Sequence, residues 1–331
     1  MIKYIYIYNI MVNYQKKYLK YKKKYVMEKN KMLGGEFKLK KACEIYSKFL
    51  KNKTKTDAPT FYIKYGPPAS GKGTIMDKVA KEEEKDINNI VVVEIDTIIQ
   101  EHEDYMEKRN ELLEKLKNNK SNKEDINKEL SDLYFKYRKN VETPNIKGDD
   151  ISDAITYGAI EEGLDVAWET NGNDIDWTKN VVIPKIKTIN KEYKIVIVYP
   201  LVPLELLLER AHRREEETGQ TPANNIEEMA KNAAKNLLEM KEIVDIIYIY
   251  DNSGNKDEED LLIKYKKNKA EICKCTDKYN TNFKSKEIKT MMSDLCDTFT
   301  DCNMSENMCE TPDIKQTSFI DSIKNFIAKL F

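Results

Sequence analysis

Nine consecutive residues, Gly66, Pro67, Pro68, Ala69, Ser70, Gly71, Lys72, Gly73 and Thr74, match the G-x-x-x-x-G-K spacing of a loop that wraps phosphate. Backbone N–H groups of such a loop converge on a β-phosphate, and the helix that follows adds the positive end of its dipole. The Lys72 ammonium then neutralises charge shared by the β- and γ-phosphates. Gly73 stands where Ser or Thr usually follows the lysine, so Thr74 is the candidate hydroxyl for a magnesium ion. Ala69 stands where many such loops have glycine; a positive φ there costs about 1 kcal/mol.

Two carboxylates are candidates to work beside this loop. Asp96, in VVVEIDTIIQ, reads as the end of a strand, where it could accept a proton from an attacking hydroxyl or hold magnesium through water. The competing reading is a helix N-cap. Glu169, in VAWETNGND, ends a second strand-like run, followed by Thr170 and Asn171 as substrate-facing polar groups. Only five arginines stand against 51 lysines, and three of them, Arg210, Arg213 and Arg214, fall within five residues. A guanidinium grips phosphate with a planar fork, so this cluster reads as a lid over transferring phosphates. The alternative is ordinary pairing with Glu209 and Glu215 to Glu217 along an exposed helix. His102 and His212, the only histidines, lie in charged helical runs and read as surface residues.

These groups need a scaffold that brings strand ends together. Runs at 61–65, 90–95, 164–169, 194–199 and 246–250 are short and rich in β-branched or aromatic residues, as in strands buried on both faces. Stretches with helical periodicity lie between them at 73–85, 150–162, 178–190, 203–217 and 225–243. The alternation predicts an α/β fold, a five-stranded parallel sheet between helices, with ligands at its carboxyl edge. Residues 103–140 interrupt the rhythm. Leu112, Leu113 and Leu116, then Ile126, Leu130 and Leu133, predict two amphipathic helices inserted after the second strand.

The order of signals, GPPASGKGT, EID, WETNGN, ERAHRREEETGQTP and IIYIYDNSG, resembles the zeta-toxin-like kinases of the P-loop superfamily over about residues 58–255. That resemblance implies ATP or GTP and Mg²⁺, and transfer of the γ-phosphoryl group to an acceptor hydroxyl, typically that of UDP-N-acetylglucosamine. It implies Lys72 as phosphate lysine, Asp96 as base, Glu169 and Thr170 in the acceptor site and Arg210 as the first lid arginine. The family's second lid arginine precedes a Thr-Pro, but Gly219-Gln220 precede Thr221-Pro222 here, leaving Arg213 or Arg214 to substitute. The GKGT form also permits a nucleoside monophosphate or polynucleotide 5′-kinase. A reading outside enzymes is a virion or scaffold protein that binds nucleotide without transferring phosphate.

The flanks divide the chain into a basic arm (1–40), a kinase domain (41–255) and a Cys-containing extension (256–331). The arm holds eleven Lys against Glu28 and Glu36, a net of +9, while the whole chain of 331 residues is at -1. Balanced charge argues against a uniformly basic nucleic-acid binder and confines any such contact to the arm. Tyr14, Tyr18, Tyr21 and Tyr25 recur at helical spacing, and the Lys/Tyr-rich run ending at Gly34-Gly35 resembles leaders in giant DNA virus proteins. No apolar run reaches the ~18 residues of a membrane span. Without a secretory leader, the six cysteines read as free thiols in a reducing cytoplasm, that of a host if the chain is viral, or in a virion. Phe319, Ile320, Ile323, Phe326, Ile327 and Leu330 predict a final amphipathic helix.

Overall fold

The computed structural model describes residues 35–118, 123–139, 147–218, 225–254, 259–266 and 269–273. The leader, the Thr221-Pro222 segment, every cysteine after Cys273 and the final amphipathic helix lie outside the described residues. Cys43 is an exposed free thiol. Among the described residues no helix is long and apolar enough to cross a membrane.

The elements follow one another as α1 (Gly35–Leu50), β1 (Thr60–Tyr65), α2 (Lys72–Glu82), β2 (Val91–Val93), α3 (Ile95–Gln100), α4 (Glu103–Asn118), α5 (Lys123–Lys139), α6 (Gly148–Glu162), β3 (Val166–Thr170), α7 (Ile183–Ile189), β4 (Lys194–Leu201), α8 (Leu204–Thr218), α9 (Ile226–Met240), β5 (Ile246–Asp251), β6 (Asp260–Lys266) and β7 (Lys269–Cys273). The described sheet has seven strands in the order β2-β3-β1-β4-β5-β6-β7. Its first five are parallel, as the β-branched runs predict. The count of five is corrected by β6 and β7, which add antiparallel to β5 and carry the sheet beyond residue 255. Their runs, DLLIKYK and KAEIC, mix lysines and acids into the apolar pattern, which hides them from a search for doubly buried strands.

Two apolar layers sandwich the sheet. One joins Phe61, Ile63, Val166, Ile195 and Ile197 to helices α6 and α9. The other joins Tyr62, Ala167, Val196 and Tyr248 to Ile75, Met76, Val79 and Ala80 of α2. Alternate residues of β1 and β4 therefore bury on opposite faces, which is why these strands tolerate almost no polar side chain. Asp165 anchors the opposite end of the sheet: its carboxylate accepts from the Thr60 backbone N–H at 2.6 Å and pairs with Lys85 at 3.0 Å.

The insertion is a helical hairpin of α4 against α5, with Leu112, Ile126 and Leu130 forming its own apolar seam. At its base Tyr105 and Tyr137 pack edge to face with centroids 5.2 Å apart, against Ile99 of α3. His102 belongs to this cluster, which corrects its reading as a surface residue. It is 2% exposed, its ring centroid lies 5.6 Å from that of Tyr137, and burial lowers its pKa from the ordinary value. The charged run around it conceals a turn that faces inward between α3 and α4.

Candidate active site

The loop between β1 and α2 turns on three residues in the left-handed half of backbone space: Gly66 at φ 131°, Ala69 at φ 63° and Gly71 at φ 83°. Ala69 therefore carries the strain its position predicts. Gly71 is the N-cap of α2 and offers no side chain to satisfy the first-turn N–H groups, which leaves them for an anion. Asn252, just past β5, donates from Nδ2 to the Ser70 carbonyl at 2.7 Å and fixes the loop from a strand end two places along the sheet. Ser70 Oγ donates back to the Pro67 carbonyl at 2.8 Å, closing the turn on itself.

Lys72 is 6% exposed and folds under this loop. Its ammonium donates to the carbonyls of Gly66 and Pro67, each at 2.9 Å, and lies 3.1 Å from Glu169 Oε1. An ammonium has three protons, and these three contacts use them. Burial lowers the Lys72 pKa, with Glu169 pulling the other way and Lys64 and Arg214 adding to the depression. Burial pushes the Glu169 carboxyl up, but Lys72 and Lys64 outweigh it and hold it below its ordinary value.

Asp96 does not end a strand, because β2 stops at Val93 and the chain enters α3 at Ile95. The Asp sits in the first turn of that helix, and Glu94 takes the N-cap position that the competing reading gave to Asp96. The mixed apolar and acidic run VVVEID suits either ending, and the helix claims it from Ile95 onward. Both Asp96 oxygens are engaged. Tyr134 of α5 donates to Oδ1 at 2.9 Å, and Arg214 of α8 reaches Oδ2 at 3.5 Å. The Tyr134 hydroxyl is pushed above its ordinary pKa by burial and by Asp96.

The arginine cluster splits by direction. Arg214 turns to Asp96, Arg213 follows the helix-pairing pattern with Glu209 at 3.9 Å, and Arg210 donates to the Gly254 carbonyl at 3.0 Å. Burial and the neighbouring Arg213 lower the Arg210 guanidinium from its ordinary value. The first helical turn places Thr74 two residues beyond Lys72 in α2. Gly66 N–H donates to the Thr170 carbonyl at 3.2 Å, tying the loop to β3. Asn171 instead accepts from the Asn173 N–H at 3.0 Å and directs its amide toward Met229. It belongs to a turn held by α9, where Asn236 donates to the Gly172 carbonyl at 2.9 Å.

Four residues at this edge belong to no sequence motif. Lys64, 1% exposed, pairs with both Glu94 and Glu169, and its only signal is one charge inside the apolar run FYIKY. Glu94 is legible only as the residue before the predicted Ile95-Asp96 pair. Asn252 follows the last parallel strand in YDNSG, a spacing with no motif attached. Tyr134 lies 38 residues from Asp96 on a hairpin whose docking no local pattern specifies.

Residues 46–263 match the profile of the Zeta toxin family. No curated protein matches the chain. Among solved structures the chain is similar to one from the PezAT chromosomal toxin-antitoxin system of Streptococcus pneumoniae, at 18% identity over 64% of this chain and 75% of that one, with a TM-score of 0.45. It is also similar to the AvrRxo1-ORF1:-ORF2 structure with ATP, at 11% identity over 90% of this chain and 83% of that one, with a TM-score of 0.42.

Proposed function

The chain belongs to the zeta toxin family and is a P-loop kinase-type phosphotransferase, and from that premise we propose a specific division of labour for transfer of the γ-phosphoryl group of ATP or GTP to an acceptor hydroxyl. Asp96 takes the hydroxyl proton as the acceptor oxygen forms its bond to the γ-phosphorus and the bond to the β,γ-bridging oxygen breaks. Lys72 and the loop amides neutralise charge on the departing diphosphate, and Arg214, with Arg210 and Arg213 on the same helix, covers the transferring group. UDP-N-acetylglucosamine is the acceptor the family resemblance points to. The working unit of this reading runs from residue 41 through β6 and β7, which extend its sheet beyond residue 255, with the arm outside it.

The observation that carries the reading is the Arg214–Asp96 contact at 3.5 Å. It draws a cation from the helix after β4 to a carboxylate after β2, across the loop that follows β1. The same Arg214 charge acts on Lys72, which supports reading these three groups as base, lid cation and phosphate lysine of one site. The first turn of α2 and Asp96 also suit magnesium, since a hard cation carried on phosphates takes one or two protein oxygens and keeps water for the rest. Thr74 Oγ1 and the Asp96 carboxylate are the residues of this chain that would hold it, and the ion would supply charge neutralisation on the phosphates. Among the described residues no group of three or more His, Cys, Asp or Glu is assembled to hold an ion without them.

The test is incubation of the full chain with γ-labelled ATP, Mg²⁺ and nucleotide sugars, nucleosides, mononucleotides and oligonucleotides, beside Lys72→Ala and Asp96→Asn. Label on one acceptor, absent with both variants, supports the reading and names the acceptor. Binding of ATP without transfer to any of them overturns it.

A further inference from the structure

Lys64 is the single charged residue of β1, a strand whose six residues are all buried. Its register partners are Glu169 on β3 and Val198 on β4, so a carboxylate lies beside it on one side only. The Nζ atom contacts Glu94 directly and lies 3.4 Å from Glu169 Oε2, while Glu169 Oε1 lies 3.1 Å from Lys72. The four groups form an alternating row, Glu94, Lys64, Glu169, Lys72, with no net charge.

A phosphate entering the loop needs the Lys72 ammonium, whose protons are already used by two carbonyls and Glu169. Lys72 has to give up Glu169, and that carboxylate then faces an arriving polyanion. A carboxylate left unpaired beside phosphate resists the exchange twice, by desolvation and by like-charge repulsion. Lys64 alone among the described neighbours already holds the other Glu169 oxygen. Being buried in a central strand, it cannot follow the phosphate away.

Resting on the reading of the loop as a nucleotide site, we propose that Lys64 is a positioning residue that keeps Glu169 compensated and so releases Lys72 to bind phosphate. It touches no phosphate itself and acts through Glu169.

The experiment measures the affinity of the full chain for a fluorescent ATP analogue with Mg²⁺, using Lys64→Gln, Glu169→Gln and the double variant. Lys64→Gln is expected to weaken binding roughly tenfold, since Glu169 then holds Lys72 alone. Adding Glu169→Gln is expected to restore affinity to within about twofold of wild type, a rescue that a merely structural role for Lys64 would not give. Wild-type affinity in Lys64→Gln, or no recovery in the double variant, overturns the proposal. Should Lys64→Gln not fold by circular dichroism, Lys64→Gln with Glu94→Gln removes one charge of each sign, and the same comparison with and without Glu169→Gln decides. A wild-type chain that binds no analogue overturns both the nucleotide-site reading and the proposal. Binding and rescue without phosphoryl transfer to any acceptor overturn the kinase reading alone.

Discussion

The Tyr134 hydroxyl donates to Asp96 Oδ1 at 2.9 Å, joining the inserted hairpin to the proposed base. A hydrogen bond to a charged carboxylate is worth about 1.5–3 kcal/mol, and the low end applies because Asp96 keeps about a third of its surface in water. Tyr134→Phe is expected to lower kcat roughly tenfold while KM for ATP stays within about twofold. Steady-state kinetics of the transfer reaction check it, and an unchanged kcat removes Tyr134 from the site.

Ala69 holds a left-handed φ of 63° in the loop. Ala69→Gly is expected to relieve about 1 kcal/mol and raise the Tm by about 2–4 °C, provided the strain exceeds the entropy glycine adds to the unfolded chain. Calorimetry of the two proteins decides the sign.

Gly172 turns the chain after β3 at φ 74°, and a Cβ there meets Tyr65 Cζ at 2.5 Å. Tyr65 cannot retreat, because it is buried and its one hydroxyl proton is shared between the carbonyls of Gly172 and Ala233. Gly172→Ala is expected to cost about 2–4 kcal/mol, read as a lower urea midpoint with the slope unchanged.

Glu83, at the end of α2, bonds to both Lys194 of β4 and the Tyr248 hydroxyl of β5. Burial pushes its carboxyl up, but Lys194, Tyr248 and Lys264 prevail and hold it below its ordinary value of 4.5. A carboxyl depressed in the folded state contributes stability that is present above 4.5 and lost as pH falls through the folded pKa. Glu83→Gln is expected to be the less stable protein at pH 7, with the gap narrowing below pH 4.5. Melting temperatures across pH 3–7 test it, and a constant gap contradicts the assignment.

What could be read without coordinates followed the range of the interactions. The phosphate loop is local: its glycines, Lys72 and the strand and helix around them lie within about twenty residues, and each is dictated by backbone conformation or burial there. The five parallel strands announce themselves because burial on both faces leaves only apolar runs such as KIVIVYPL of β4. Asp96 was recognisable as a residue but not by its element, since three valines make a strand too short to hold the next acid. The partners of Lys64 and Asp96 are hidden because strand register chooses Glu169, the turn into α3 brings Glu94 back over 30 residues, and hairpin docking brings Tyr134 to Asp96 over 38. The last two described strands are hidden by their lysines, which suit a sheet margin where one side of the ladder meets water.

The antiparallel strands after residue 255 also protect the protein from itself. β5 carries Ile246, Ile247, Tyr248, Ile249 and Tyr250, all buried, and β6 pairs with it along its whole length. Glu259, at the entry to β6, clamps Lys78 of the phosphate-loop helix at 2.6 Å. Cutting the chain at 255 therefore exposes an apolar ladder of unpaired N–H and C=O groups, a template for edge-to-edge self-association. A fragment ending there is expected to collect in inclusion bodies, while one ending at 273 stays in the supernatant, so the shortest expressible unit is longer than the family motifs delimit.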